Sequence, residues 1–322
     1  MNSTVLEVES LKKYFPVERG LLRRAVAWVK AVDGVSFSIR AGETLCLVGE
    51  SGCGKSTVGR LILRLSEPTD GRILVDGTDI ATLSASALRE HRRKVQMVFQ
   101  DPYASLNPRL SAGDIVAEPL QNYEALSREA REARVAALFE RVGLRPEAMR
   151  RYPFEFSGGQ RQRLGIARAL SVSPNLIVAD EPVSALDVSV QAQVLNLLLE
   201  LQDTLGLAYL FISHDLGVVE HIGHRVAVMY LGRIVEVAET EKLFADPKHP
   251  YTEALLAAAP IPDPSRRGRK MVIEGDVPSP LNPPSGCAFH TRCPIAKDVC
   301  RKETPPLRDI GDDRVVACHF RG

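Results

Sequence analysis

The sequence has almost no charge asymmetry, no long apolar run and, for most of its length, very little cysteine. Lys plus Arg total 41 against 40 Asp plus Glu, a net charge of +1. Such a balance provides no global field for gripping nucleic acid, so no nucleic-acid partner is expected. No stretch reaches the ~18 apolar residues that a membrane-crossing helix requires. Residues 1–13 carry Glu7 and Glu9 and no apolar h-region. That is not a secretory signal pattern and predicts a cytoplasmic chain. There is no internal repeat, no low-complexity tract beyond a proline bias, and one tryptophan, Trp28. With 45% hydrophobic and 25% charged residues, collagen-like, coiled-coil and largely disordered readings are excluded. A length of 322 residues suits one large domain or two ordinary ones, at ~150 residues each. Only two of the six cysteines, Cys46 and Cys53, precede residue 287; the other four lie in the last 36 residues.

Proline divides the chain in the same direction. Twelve of the 21 prolines lie beyond residue 245. This predicts a domain over 1–245 and a loop-rich extension over 246–322, with one short helix at 251–259. Before the boundary, short apolar runs alternate with helical patterns, the rhythm of an α/β domain. Strands are predicted at 5–10, 35–39, 44–48, 72–75, 95–99, 176–179, 208–212, 226–229 and 234–237. Leu176-Ile177-Val178-Ala179 is apolar throughout, as expected of a strand covered on both faces. Long helices are predicted at 127–142, 157–171 and 189–205. A mostly helical subdomain is expected over about 83–172.

Gly49-Glu50-Ser51-Gly52-Cys53-Gly54-Lys55-Ser56-Thr57 fits G-x-x-x-x-G-K-[ST] between a predicted strand and a helix. Glycines let backbone N–H groups close around phosphate oxygens, and the helix N-terminus adds positive potential. Lys55 is placed to reach terminal phosphates and Ser56 to ligate Mg²⁺; Cys53 reads as a small loop residue. Asp180 and Glu181 follow the apolar run ending at Ala179. A carboxylate at the tip of a parallel strand faces the ligand crevice. Asp180 suits Mg²⁺, and Glu181 suits polarisation of an attacking water. Ser157-Gly158-Gly159-Gln160 has capping-box spacing, and its glycines make a second anion-binding helix end.

Together these motifs resemble the nucleotide-binding subunit of an ABC transporter. Walker A is Gly49 to Thr57. The Q-loop resembles Val98-Phe99-Gln100-Asp101-Pro102, and the signature Phe156-Ser157-Gly158-Gly159-Gln160, with Phe156 where the commonest form has leucine. Walker B is Leu176 to Asp180 with Glu181, the D-loop Ser184-Ala185-Leu186-Asp187, and the switch histidine His214. The resemblance implies a P-loop NTPase fold with a RecA-like core, an antiparallel β-subdomain and an α-helical subdomain. It implies a head-to-tail pair of ATPases with two ATP molecules between them, each held by one chain's Walker A and the other's signature helix. Lys55 and the loop N–H groups (Gly49, Ser51, Gly52, Cys53, Gly54, Ser56, Thr57) would hold phosphates. Ser56, Gln100 and Asp180 would serve Mg²⁺, Glu181 would be the base, and His214 would contact the γ-phosphate. The resemblance also puts Asp187 in the nucleotide site and an aromatic on adenine, Phe15 ahead of Tyr14.

The tail narrows the resemblance. His249-Pro250-Tyr251-Thr252, Pro278 to Pro284 and Gly286-Cys287-Ala288-Phe289 resemble the extension of peptide-importer ATPases of the DppF/OppF type. The implied partners are a sister ATPase, two membrane-spanning permease subunits and, indirectly, an extracytoplasmic peptide-binding protein. The implied location is the cytoplasmic face of the membrane. Cys287, Cys293, Cys300 and Cys318 are spaced C-x5-C-x6-C-x17-C. Four thiolates suit either a [4Fe–4S] cluster or tetrahedral zinc. The absence of C-x2-C knuckles and the Cys293-Pro294 pair favour iron–sulfur, as does the resemblance; zinc stays the alternative.

Two basic features stand apart. Residues 17–30 combine Arg19, Arg23, Arg24 and Lys30 with Leu21, Leu22, Val26 and Trp28, a decorated hairpin or a membrane-touching insertion. Arg161, Arg163 and Arg168 line the signature helix, where cations near a triphosphate site would be unsurprising. Competing functions are the same motor with another cargo, such as nickel, and a soluble ABC ATPase of DNA repair or translation. The single cassette without coiled-coil or zinc-hook insertion argues against the last.

Overall fold

The computed structural model describes residues 3–19, 24–258 and 275–321, without the Arg19 and Arg24 side chains. Arg266, Arg267, Arg269 and Lys270, a short basic run that reads as a solvated linker, lie outside these residues, as do Leu21, Leu22 and Arg23 of the basic segment and the predicted helix end at Ala259. In chain order the strands are β1 (Thr4–Arg19), β2 (Arg24–Arg40), β3 (Thr44–Val48), β4 (Asp70–Val75), β5 (Thr78–Asp79), β6 (Val95–Val98), β7 (Leu176–Asp180), β8 (Ala208–Ser213), β9 (Arg225–Tyr230), β10 (Arg233–Glu239), β11 (Arg308–Asp309) and β12 (Val315–Val316). The helices are α1 (Lys55–Ile62), α2 (Ala85–Lys94), α3 (Pro102–Ser105), α4 (Ala112–Tyr123), α5 (Arg128–Arg141), α6 (Gly158–Leu170), α7 (Val188–Leu205), α8 (Leu216–Ile222), α9 (Thr240–Ala245), α10 (Pro250–Ala258) and α11 (Asp298–Lys302). Two compact units emerge. The first comprises Met1–Leu6, Ile39–Glu43 and Val75–Ile212; the second comprises Glu7–Ser38, Thr44–Leu74 and Ser213–Gly322.

In the first unit, β6, β7 and β8 pair in parallel, with Val95 opposite Leu176 and Leu176 opposite Ala208. Every residue of β7 and β8 is buried. Each fully buried Leu, Ile or Val contributes about 1.5–3 kcal/mol, so these strands need no polar alternation. Helices α2 to α6 fill most of 85–170, interrupted by β6, and α4 packs on both α5 and α6. Serines set the starts. Ser84, Ser111 and Ser127 accept backbone N–H bonds at the N-termini of α2, α4 and α5. Helix α7 stops at Gly206, whose left-handed φ of 66° lets its N–H reach the Gln202 carbonyl at 2.8 Å.

In the second unit, β3 runs parallel to β9, and β9 forms an antiparallel pair with β10. The chain returns at its end, where β12 adds to β10 with Glu236 opposite Val316. Glu236 is fully buried. It accepts the N–H groups of Lys248 and His249 at 2.9 and 2.8 Å and faces Arg314 at 3.2 Å. An unpaired buried carboxylate is strongly unfavourable, so this pair fixes the tail to β10.

Two expectations need correction. The first strand does not end at Ser10, which has φ 47°; β1 continues to Arg19 and β2 begins at Arg24, forming a long hairpin. Its mixed polar pattern hid the strands. Second, the tail is not merely loop: α11, β11 and β12 lie within it, too short to show a period. It also shares a core, since Phe289, Val316, Cys300 and Cys318 are buried.

Candidate functional site

In the second unit, the glycine-rich loop joins β3 to α1 as the motif predicts. Two glycines are required for space as well as for conformation. A Cβ on Gly49 (φ 151°) would lie 2.1 Å from the Met229 carbonyl oxygen; one on Gly54 (φ 109°) would lie 2.1 Å from that of Ala31. Gly232 N–H donates to the Cys53 carbonyl at 2.9 Å, joining the loop to the β9–β10 turn. Lys55 is buried, and its Nζ donates to the Gly49 and Glu50 carbonyls at 2.7 and 3.1 Å. Cys53 is buried beside it, with Sγ 3.8 Å from Nζ. Burial pushes its thiol up more than Lys55 pulls it down. Ser51 and Gly52 are exposed at the loop tip, while Ser56 and Thr57 are half-buried in the first turn of α1. This helix start presents backbone amides and positive potential to an anion.

The two aromatics proposed for adenine have different commitments. Tyr14 donates from its hydroxyl to Asp33 at 2.5 Å, and Arg233 holds the same carboxylate at 2.7 Å. Burial, then this hydrogen bond, pushes the Tyr14 phenol up to about 12. Phe15 is 41% exposed, with Lys13 Nζ 5.0 Å from its ring centre. Adjacent strand residues face opposite sides, so one ring is tied and the other presented.

The first unit brings Gln100 and Glu181 together, with Gln100 Nε2 donating to Glu181 Oε2 at 2.8 Å. Asp180 ends β7 and is buried. Glu181 turns out of the strand at φ 46°, its N–H bonded to the Ile212 carbonyl at 2.9 Å. A left-handed glutamate costs energy, and such strain concentrates at functional positions. Asp187 is the N-cap residue of α7. The Ser157–Gln160 capping box is present: Ser157 N–H donates to Gln160 Oε1 at 3.0 Å, and Ser157 Oγ accepts Gln160 N–H at 3.4 Å. Gly158 is exposed, whereas a Cβ on Gly159 would lie 2.3 Å from Val190 Cγ1.

In the second unit, exposed His214 precedes Asp215, whose carboxylate caps α8. The signature-helix arginines serve the subdomain. Arg161 donates to the Pro153 carbonyl at 2.8 Å, Arg163 to Val142 at 2.7 Å and Arg168 to Ser105 at 2.6 Å. Their acceptors are backbone carbonyls of the segments around α6. Sequence reasoning also missed Tyr251 and Arg292 as neighbours of the phosphate loop. Tyr251 Oη accepts Glu50 N–H at 2.9 Å, and Arg292 grips the Glu50 carboxylate at 2.9 and 3.1 Å. No local pattern marks a contact 242 positions apart.

Cys287, Cys293, Cys300 and Cys318 line one small pocket, together with Phe289, Ile295 and other tail residues. Cys287 N–H donates to the Cys300 carbonyl at 2.8 Å. Burial, with the other three cysteines nearby, pushes the Cys287 thiol to about 11. No group of three or more His, Cys, Asp or Glu among the described residues is disposed to hold a metal ion. The expected four-thiolate centre therefore finds no support in the arrangement of these side chains. No helix among the described residues is long and apolar enough to cross a membrane.

Residues 32–184 match the ABC transporter family, and residues 235–300 match the oligopeptide/dipeptide transporter C-terminal region. The chain is 63% identical over 321 residues to a Sinorhizobium fredii protein described as a probable peptide ABC transporter ATP-binding protein, covering 100% of this chain and 91% of that one. It is 55% identical to the oligopeptide transport ATP-binding protein AppF of Bacillus subtilis, covering 98% and 97%. Identity to the dipeptide transport ATP-binding protein DppF of Haemophilus influenzae is 52%, with the same coverage. Among solved structures it resembles the ATP-binding cassette MJ0796, dimeric and bound to ADP and Pi, at TM-score 0.65 and 29% identity, covering 73% of this chain and 98% of that one. It also resembles CbiO1 of Clostridium perfringens at TM-score 0.65 and 27% identity, covering 76% and 92%. Motifs, fold and full-length likeness agree: the chain belongs to the ATP-binding subunits of the oligopeptide/dipeptide ABC transporter family.

Proposed function

We propose that this chain is the ATP-hydrolysing motor of an importer for dipeptides or oligopeptides, working head-to-tail with a sister ATPase on two membrane-spanning permease subunits at the cytoplasmic face. An extracytoplasmic peptide-binding protein would deliver the cargo. The names of all three relatives support peptide over nickel. Residues 1–245 form the nucleotide-binding domain in this reading and 246–322 its extension. Exposed Tyr103, Tyr152 and Phe154 support a protein-docking role for the helical region, Tyr152 and Phe154 stacking at 5.8 Å.

The observation that carries the catalytic reading is the 2.8 Å bond from Gln100 to Glu181. Glu181 takes the proton of the attacking water, and Gln100 orients its carboxylate. Ser51, Gly52, Cys53, Gly54, Lys55 and Thr57 hold the phosphates, and His214 meets the γ-phosphate. Phe15 stacks on adenine. Ser157, Gly158, Gly159, Gln160 and Asp187 face the nucleotide of the opposite ATPase. Ser56, Asp180 and the Gln100 Oε1 are hard oxygen donors suited to Mg²⁺, which neutralises phosphate charge when bound. Cys287, Cys293, Cys300 and Cys318 would hold a [4Fe–4S] cluster, or zinc, in a structural role; their spacing in the sequence supports this. Iron, sulfide and zinc analysis of anaerobically purified complex distinguishes the two.

Glu181→Gln tests the motor. In the assembled complex it should bind ATP normally and lose turnover at least roughly a hundredfold, the scale of a lost general base. Near-normal turnover would overturn the assignment.

A further inference from the structure

Among the described residues, the C-terminal extension meets the phosphate loop at Glu50 and holds it through its side chain and its N–H. Arg292 is almost fully buried, its side chain 7% exposed. Its Nη1 and Nη2 donate to Glu50 Oε2 and Oε1 at 2.9 and 3.1 Å, a two-pronged charge-assisted contact. Nη1 also lies 3.5 Å from the Tyr230 hydroxyl, and the guanidinium lies 6.0 Å from that ring's centre. Tyr251 is fully buried, with its ring 4.7 Å from Tyr230 and 5.4 Å from Phe289. That packing fixes its hydroxyl, which accepts the Glu50 N–H at 2.9 Å. Glu50 in turn shapes the loop: its carbonyl accepts from Lys55 Nζ at 3.1 Å and from Cys53 N–H at 3.3 Å. Side chain, N–H and carbonyl of one loop residue are therefore all engaged, the first two by the extension.

We propose that Arg292 and Tyr251 are positioning residues of the phosphate loop, acting through Glu50 to set where Lys55 lies. The inference rests on the reading of Gly49 to Thr57 as the phosphate site. It makes the extension part of the nucleotide-binding apparatus rather than an appendage to it. Residues that hold a loop in its binding conformation lower the cost of ordering it when ligand arrives.

The test is Mg-ATP affinity and steady-state turnover of the assembled transporter carrying Arg292→Ala, Glu50→Ala, both together, Tyr251→Phe and Lys55→Ala. Arg292→Ala should raise KM and Kd for ATP roughly tenfold or more, the loss of one charge-assisted contact, with kcat changed much less. Arg292→Lys should recover part of it. The double variant should be no worse than Glu50→Ala alone, because both remove the same contact. Tyr251→Phe deletes one oxygen without disturbing packing and should weaken ATP by a few-fold, so the proposal stays testable if Arg292→Ala fails to fold. A lower kcat at unchanged KM and Kd, or additive effects of Arg292→Ala and Glu50→Ala, would overturn it. If Lys55→Ala leaves ATP affinity intact, the phosphate-site reading itself falls. If Lys55→Ala abolishes affinity while the other variants are silent, only the positioning role falls.

Discussion

The chain contains two glycine-bearing helix starts that suit anions, and they are built differently. The loop before α1 is enclosed by its own unit: Gly49 and Gly54 pack against backbone carbonyls, Lys55 is buried, and Glu50 is held by the tail. The turn before α6 is outward-facing. Ser157 and Gly158 are exposed, the serine caps its own helix, and only Gly159 packs closely, against a side chain. One helix start is held in place by the packing of its own unit. The other offers amides to something supplied from outside. That asymmetry is what a motor needs if ATP binds first to one surface and then recruits a second.

The sharpest way to break this contrast is Gly54→Ala. Its Cβ would collide with the Ala31 carbonyl at a left-handed φ, and backbone cannot step aside. ATP affinity, measured by titration of the assembled complex, should fall on the order of 100-fold, with no rescue by neighbouring side-chain changes. Gly159→Ala should act more mildly. Its clash is with Val190 Cγ1, so turnover should drop roughly tenfold while ATP affinity stays normal, and Val190→Ala in the same chain should restore most of it. Failure of that rescue would show the signature turn to be as rigid as the phosphate loop. The smallest effects should separate contact from frame on the phosphate-loop side. Phe15→Ala should raise KM for ATP roughly three- to tenfold, the worth of one aromatic stacking contact. Tyr14→Phe should leave KM unchanged and cost about 1 kcal/mol in thermal unfolding, since it loses only the bond to Asp33.

What could be read in the sequence was local. The β3–loop–α1 unit, the capping box at Ser157 and the buried runs of β7 and β8 each declare themselves within a few residues. Glu181 was legible because it follows an apolar strand. Its bond to Gln100, 81 positions away, was not. The grip of Arg292 on Glu50 is hidden for the same reason, and so are the carbonyl acceptors of the α6 arginines, because a charge near a motif does not reveal its acceptor. The hairpin of β1 and β2 was under-read because exposed strands carry polar residues on both edges. In the tail, spacing marked the four cysteines, but nothing in it marked Phe289 as the centre of a core shared with Tyr230 and Tyr251.

Cys53 gives the phosphate loop a built-in chemical clock. Its sulfur is buried, and burial pushes the thiol up against the opposing pull of Lys55. Only the thiolate attacks an alkylating reagent, so a closed loop is almost inert. The alkylation rate of this one peptide therefore counts loop openings, and nucleotide that holds the loop shut should slow it in proportion to occupancy.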